Sequence, residues 1–406
     1  MWQTLIPELV FEIFRHFLPR LKLSVIRPKL FPWYLGQICS SWRDVFVSSP
    51  EFWCHLDFHL DVDFDVDRGL VISNVCLPRS NPRPISFTYI QDYPPDENQK
   101  LERCRQILNL LINQSTRWRD AYFEVHVAEI PFIYPVKNKL PILRSIKVKT
   151  VGGIEISFGR CYPDPIFDDL FLDAPQLKRM CISGNPYWKV NWSSLKTIHI
   201  SLPYHYPEHL EVLSRVSCLE ELTIDGNFNT IPDIVHSIVL PFLKILRSDS
   251  TSLPLFKTPM LNELCIRHIN SFSDLNDTLR NFIPSLGHLT QLTLISRCAG
   301  DVEILLQHMP RTLSECTKSR HLKTLSVTVF NSTEDAVDMI KMWMRRKSLP
   351  KGAHRFDELE CFYLELHKNV SHLLDQLKSH LDSEGIPHSM QQEYVHPFDT
   401  FDVFDD

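Results

Sequence analysis

Glycine is scarce, at 11 of 406 residues. That argues against phosphate-cradling loops and glycine-hinged lids, which need backbone freedom and close approach. No GxGxxG, P-loop or GxSxG sequence occurs, so the usual dinucleotide, nucleotide and serine-hydrolase signatures are missing. The 11 cysteines include no CxxC pair; the closest two are Cys39 and Cys54. Zinc chelation and dithiol redox chemistry are thereby disfavoured, and most of these thiols are expected to be reduced, small core residues. No apolar run reaches the roughly 18 residues that a membrane-spanning helix requires. Met1-Trp2-Gln3 is not a basic leader, and Pro7-Glu8 interrupts the first apolar stretch. The expectation is a cytoplasmic or nuclear protein with no membrane partner. With 43 Lys and Arg against 49 Asp and Glu, the formal charge is -6, which speaks against a nucleic-acid grip.

Three sequences invite a catalytic or metal reading. His205-Tyr206-Pro207-Glu208-His209 matches H-x-x-E-H. That zinc chemistry needs both histidines on one helix face, and Pro207 disfavours helical geometry just before it. Asp61, Asp63, Asp65 and Asp67 alternate with Val62, Phe64 and Val66. A calcium loop would want glycine at 66 and glutamate at 72, where Val66 and Ile72 stand. The alternation reads better as a strand with one solvated face, or as an exposed acidic edge that blocks aggregation. Cys54, His55 and His59 are too close along one strand to supply nucleophile, base and orienter together. No catalytic residue, metal ligand or cofactor is expected, and the chain is read as a non-enzyme.

What the sequence does contain begins with two helical stripes. Ile6-Pro7-Glu8-Leu9 opens the first, with proline tolerated in a first turn. Leu9, Val10, Ile13, Phe14 and Phe17 form its apolar side, and Pro19 ends it. The second carries Leu35, Ile38, Cys39, Trp42, Val45 and Phe46, and Ser48-Ser49-Pro50 stops it. These residues supply more apolar surface than two short helices can hide from each other.

Ile6-Pro7-Glu8-Leu9, Ile13-Phe14, Ile38-Cys39-Ser40-Ser41-Trp42-Arg43-Asp44 and Ser48-Ser49-Pro50-Glu51-Phe52-Trp53 together resemble the F-box signature. Ile6 replaces the usual leucine. The connection between the helices is longer than the family usually shows, which is similar to F-box proteins of mushroom-forming fungi. The resemblance implies docking to a Skp-family adaptor and, through it, to cullin and RING proteins. The expected adaptor-binding residues are Ile6, Pro7, Leu9, Ile13, Phe14, Phe17, Leu35, Ile38, Cys39, Trp42 and Val45.

A second pattern recurs later: apolar, two others, apolar, one other, apolar. It occurs at Leu143/Ile146/Val148, Leu177/Met180/Ile182, Leu195/Ile198/Ile200, Leu219/Leu222/Ile224, Leu261/Leu264/Ile266, Leu289/Leu292/Leu294, Leu322/Leu325/Val327 and Leu359/Phe362/Leu364, with a degenerate copy at Leu243/Leu246 ending in Ser248. Separations run from 18 residues (Leu177 to Leu195) to 37 (Leu322 to Leu359). This is the LxxLxL core of a leucine-rich repeat, though the asparagine expected after it stands only at Asn185 and Asn227. Each copy predicts a short strand that must stack on its neighbours. The spacers at 207–213, 273–282, 301–309 and 333–347 predict helices. Residues 85–89 and 118–125 predict strands, and 101–112 a helix.

The expected fold class is therefore α/β: a small N-terminal helical F-box, residues 1–56, then an irregular leucine-rich-repeat-like horseshoe, residues 57–385, of parallel strands with helices outside. Residues 57–139 read as degenerate repeats. Residues 386–406, where Phe398, Phe401 and Phe404 alternate with aspartates, read chiefly as a disordered acidic-aromatic tail, with a linear motif or a strip folding back on the horseshoe as the alternatives. Strand positions facing away from the core are the candidate target contacts: Lys147, Lys149, His199, Thr223, Asp225, Arg267, Thr293, Thr328 and Glu365. The expected function is that of a substrate receptor in a Skp–cullin–F-box ubiquitin ligase, holding a target protein. The alternative is a non-degradative interaction scaffold.

Overall fold

The computed structural model describes residues 5–17, 23–24, 33–60, 66–91, 98–151, 169–183, 188–201, 213–225, 237–249, 252–267, 282, 288–298, 323–331, 361–366 and 388–391. The chain is α/β, with helices and parallel strands. It divides into two compact units, Met1–Leu195 and Lys196–Phe401. That division falls inside the repeat pattern.

The first unit opens with α1 (Pro7–Phe17), which carries Glu8 in its first turn and Arg15 and His16 in its last. Both placements suit the helix dipole. A 3-10 turn (Trp33–Gln37) leads into α2 (Ser40–Ser48), and a second such turn (Pro50–Trp53) follows. The faces that meet are aromatic. Phe14 lies 5.2 Å from the Trp42 ring and 5.5 Å from Phe52, both edge-on, and Phe46 lies 4.9 Å from Trp53. Gly36 permits this packing, because a Cβ there would sit 3.3 Å from the Phe46 ring. Edge-on pairs add about 0.5–1.5 kcal/mol each beyond simple burial.

Six strands follow one another through this unit: β1 (Leu23–Ser24), β2 (His55–Leu60), β3 (Ile85–Gln91), β4 (Trp118–His126), β5 (Ser145–Val151) and β6 (Arg179–Ser183). Each pairs with the next in parallel. Helix α3 (Val66–Arg79) connects β2 to β3, α4 (Asn98–Ile112) connects β3 to β4, and the short α5 (Ile130–Ile133) follows β4. Register places Leu56, Phe87, Ala121, Ile146 and Met180 in one row, and Phe58, Tyr89, Phe123, Val148 and Ile182 in the next. All of these are buried, each worth about 1.5–3 kcal/mol for a large side chain. The degenerate stretch 57–139 thus contributes strands aligned with the later copies.

In the second unit the strands run β7 (Thr197–Ser201), β8 (Glu221–Asp225), β10 (Ile245–Asp249), β12 (Glu263–Arg267), β13 (Gln291–Cys298), β14 (Thr324–Asn331), β15 (Cys361–Leu366) and β16 (His388–Gln391). A separate two-stranded pairing joins β9 (Ile238–Val239) to β11 (Phe256–Lys257). The middle apolar residues of the repeats align: Ile198, Leu222, Leu246, Leu264, Leu292, Leu325 and Phe362 are successive register partners. Just before β7, β8, β10, β12 and β13, one carbonyl accepts two amides from the next copy. Lys244 O takes Asn262 N and Glu263 N, both at 2.9 Å, and Asn262 O takes Thr290 N and Gln291 N at 2.8 and 3.0 Å. The degenerate copy survives because Ser248 is buried with its hydroxyl bonded to Ser252.

Two expectations change. His388–Gln391, inside the segment read as a disordered tail, forms a strand on β15; backbone pairing there needs no apolar period, so composition hid it. The aspartate alternation is not a strand through residue 67. Val66 and Asp67 open α3, where an acidic first turn is favourable, and the strand lies earlier, at His55–Leu60. Residues 61–65, the helices expected at 207–212, 273–281, 301–309 and 333–347, the histidines His205 and His209, and Asn185 and Asn227 lie outside the described residues.

Candidate functional site

Two surfaces carry the residues singled out above. On the first helices, the fold sorts the expected adaptor contacts into two groups. Phe14, Leu35, Trp42 and Val45 are buried in the aromatic core. Ile6, Leu9, Ile13 and Ile38 remain 56%, 50%, 36% and 48% exposed, Pro7 is exposed, and Cys39 is half-buried. Phe17 ends α1, and its side chain lies outside the described residues. Ile6, Leu9 and Ile13 recur at the spacing of one helix face. Exposed aliphatic side chains repeated along one face mark an interaction site more often than chance placement. Tyr34, which the sequence did not single out, is exposed on the preceding turn. The Trp42 indole Nε1 is buried without an acceptor among the described residues.

The second surface is the polar face of the strands. In the first unit, Asp57, Thr88, Tyr122 and Lys147 are register partners, as are His59, Ile90, Glu124 and Lys149. Lys149 Nζ lies 2.5 Å from Glu124, which also accepts from the Tyr122 hydroxyl at 2.6 Å. Lys147 Nζ sits 4.4 Å over the Tyr122 ring. One register step away, buried Asp120 binds Arg119 at 2.8 Å, Ser86 at 2.8 Å and Arg179 at 3.4 Å, and Arg119 also reaches His55 Nε2 at 3.2 Å.

In the second unit, His199, Asp225 and Arg267 form one cluster. His199 Nε2 lies 2.7 Å from Asp225 Oδ2, and Arg267 donates to Asp225 Oδ1 at 2.7 Å. Burial pushes the Asp225 carboxyl up, but His199 and Arg267 outweigh it and leave the group below its ordinary value. Burial raises the Cys265 thiol nearby. Thr223 stands between His199 and Arg247 in register, yet it is fully buried and its hydroxyl has no partner among the described residues. It is therefore not the solvent-facing contact that strand alternation suggested. Thr293 is half-buried on β13. Thr328 and Glu365 are register partners on β14 and β15, and their side chains lie outside the described residues.

Sequence reasoning missed Arg119, Asp120, Tyr122, Glu124 and Arg179. The strand itself was expected at 118–125, but Trp118, Ala121 and Phe123 repeat the LxxLxL spacing with aromatic residues, and that spacing would have shown which side of β4 faces outward. Among the described residues, no group of three or more His, Cys, Asp or Glu is placed to hold a metal ion, and no helix is long and apolar enough to cross a membrane. No known family model matches the sequence, and no curated protein matches it.

Proposed function

We propose that this chain is the substrate-receptor subunit of a Skp–cullin–F-box ubiquitin ligase. The exposed aliphatic side chains Ile6, just before α1, and Leu9 and Ile13 on it carry the reading: they belong to the F-box-like motif and stand outside the aromatic core. An adaptor groove would take them as anchors of an amphipathic helix. Support for a leucine-rich-repeat-like horseshoe comes from the in-register row of middle apolar residues. The open polar face would hold a target protein. The receptor would contribute proximity, bringing target lysines to a ubiquitin-loaded enzyme on another subunit.

The test is capture of a Skp-family adaptor by the full chain, compared with Leu9→Asp/Ile13→Asp. Losing two buried aliphatic anchors should weaken binding by about 100-fold or more. Val71→Asp, at an exposed position on α3, serves as control and should bind normally. No capture by a folded native chain overturns the proposal. Adaptor capture without cullin would favour the scaffold.

A further inference from the structure

We propose that the polar face of β4 and β5, with Arg179 at the start of β6, docks an acidic polypeptide segment. This deepens the receptor reading by naming the chemistry of the target, and it is tested without the adaptor.

The charge on this face is layered. The carboxylates lie beneath: the Asp120 and Glu124 side chains are only 5% and 13% exposed. The cations lie above them, with Arg119 41% and Lys149 43% exposed. Two carboxylates thus organise Arg119, Arg179 and Lys149. Lys147 adds positive charge on this face, Arg144 and Lys178 add it at the exposed edge just before β5 and β6, and none of the three has a carboxylate partner among the described residues. What solvent meets is cationic, although the chain as a whole carries -6.

The cations are also crowded. Arg144 N donates to Arg119 O at 2.7 Å, and Lys178 N donates to Arg144 O at 2.9 Å. Arg119 is the second residue of β4, and Arg144 and Lys178 stand one residue before β5 and β6, so three positive residues lie side by side at one end of three strands whose backbones are about 4.8 Å apart. Like charges at that spacing are unfavourable, and an incoming anion relieves them. Lys147 is held over the Tyr122 ring, so little ordering remains at binding.

Spacing favours peptide over nucleic acid. Lys147 and Lys149 stand two residues apart on one strand, about 6.6–6.8 Å, which is the repeat of same-side residues in an extended peptide. A dense polyphosphate would meet the remaining carboxylates Glu124 and Asp57 and the negative charge of the whole chain.

The experiment is fluorescence anisotropy of the full chain with a labelled alternating Glu–Ser peptide. Binding should appear at low salt and fade as salt rises. Lys147→Glu/Lys178→Glu should lower affinity by about tenfold or more, and an alternating Lys–Ser peptide should bind that variant instead. Arg144→Glu, at the exposed edge just before β5, repeats the test if the double variant fails to fold. Lys139→Glu, exposed on the loop before β5, should change nothing. Absence of binding by the folded chain at low salt overturns the proposal, as does equal binding by the reversed variants. Tighter binding of single-stranded DNA of equal length than of the peptide overturns it in favour of a nucleic-acid surface.

Discussion

Trp53 and Trp118 make the same hydrogen bond: each indole Nε1 donates to the carbonyl seven residues earlier, Phe46 O and Leu111 O, both at 3.0 Å. Each is fully buried; Trp53 stands just before β2, and Trp118 is the first residue of β4. The indole thus ties the end of a helical segment to the strand that follows it. Trp118→Phe keeps an aromatic body but orphans the Leu111 carbonyl, and should cost about 1–3 kcal/mol. Trp118→Ala also opens a cavity and should cost about 3–5 kcal/mol. Urea midpoints measure both. Equal stability of Trp118→Phe and native chain would remove the hydrogen bond from the account.

These tryptophans also explain what the sequence showed and hid. The LxxLxL copies from Leu143 to Leu359 each mark a strand, because the motif encodes which side chains face inward, and burial enforces that choice. Searching for aliphatic residues alone missed Trp53/Leu56/Phe58 and Trp118/Ala121/Phe123, which obey the same spacing with larger side chains. The candidate site was less legible. Lys147 and Lys149 were found by parity from the motif, but their partners Tyr122 and Glu124 sit on the aromatic copy. Parity also predicted an open Thr223, and it cannot see what covers a position. The mutual burial of His199, Asp225 and Arg267 depends on contacts 26 and 42 residues apart, which no local pattern encodes.

Arg105 on α4 grips Glu129 through two bonds, Nε to Oε2 at 3.0 Å and NH2 to Oε1 at 2.8 Å. Glu129 is almost fully buried, and the guanidinium lies 3.8 Å over the Phe132 ring. Arg105→Ala strands a buried carboxylate. Full burial of both partners would make that cost about 3–5 kcal/mol; because Arg105 is partly exposed, about 2–3 kcal/mol is expected. Arg105→Lys should recover only part, since an ammonium cannot match the fork or stack equally well. Complete rescue by lysine would show that charge alone matters here.

The cysteines should differ sharply in reactivity. Burial pushes Cys54 up to about 11, and Cys76 and Cys104 up to about 12, so almost no thiolate exists at neutral pH. Cys218 is exposed. Brief iodoacetamide treatment of the native chain, followed by peptide mapping, should label Cys218 before Cys54, Cys76 and Cys104. Cys76 and Cys104 should label only under conditions that open the fold. Comparable labelling of Cys104 and Cys218 in the native chain would contradict the burial of Cys104 on α4.

Acid should find Asp225. Its folded carboxyl lies below the ordinary value because His199 and Arg267 favour the charged form more than burial opposes it. A carboxylate with a depressed folded pKa stabilises the fold above its unfolded pKa, about 3.9. That contribution is lost as pH falls through the folded pKa. Native chain and Asp225→Asn should therefore differ most at neutral pH and converge as acid protonates the native carboxyl. At neutral pH the asparagine variant leaves Arg267 facing a neutral amide and should be less stable by about 1–3 kcal/mol, below the full cost of breaking a buried pair because all three side chains keep some exposure. Chemical unfolding measured at several pH values between neutral and acid reads the difference directly. A gap between the two proteins that persists unchanged to low pH would assign the loss to shape, not to the carboxylate charge.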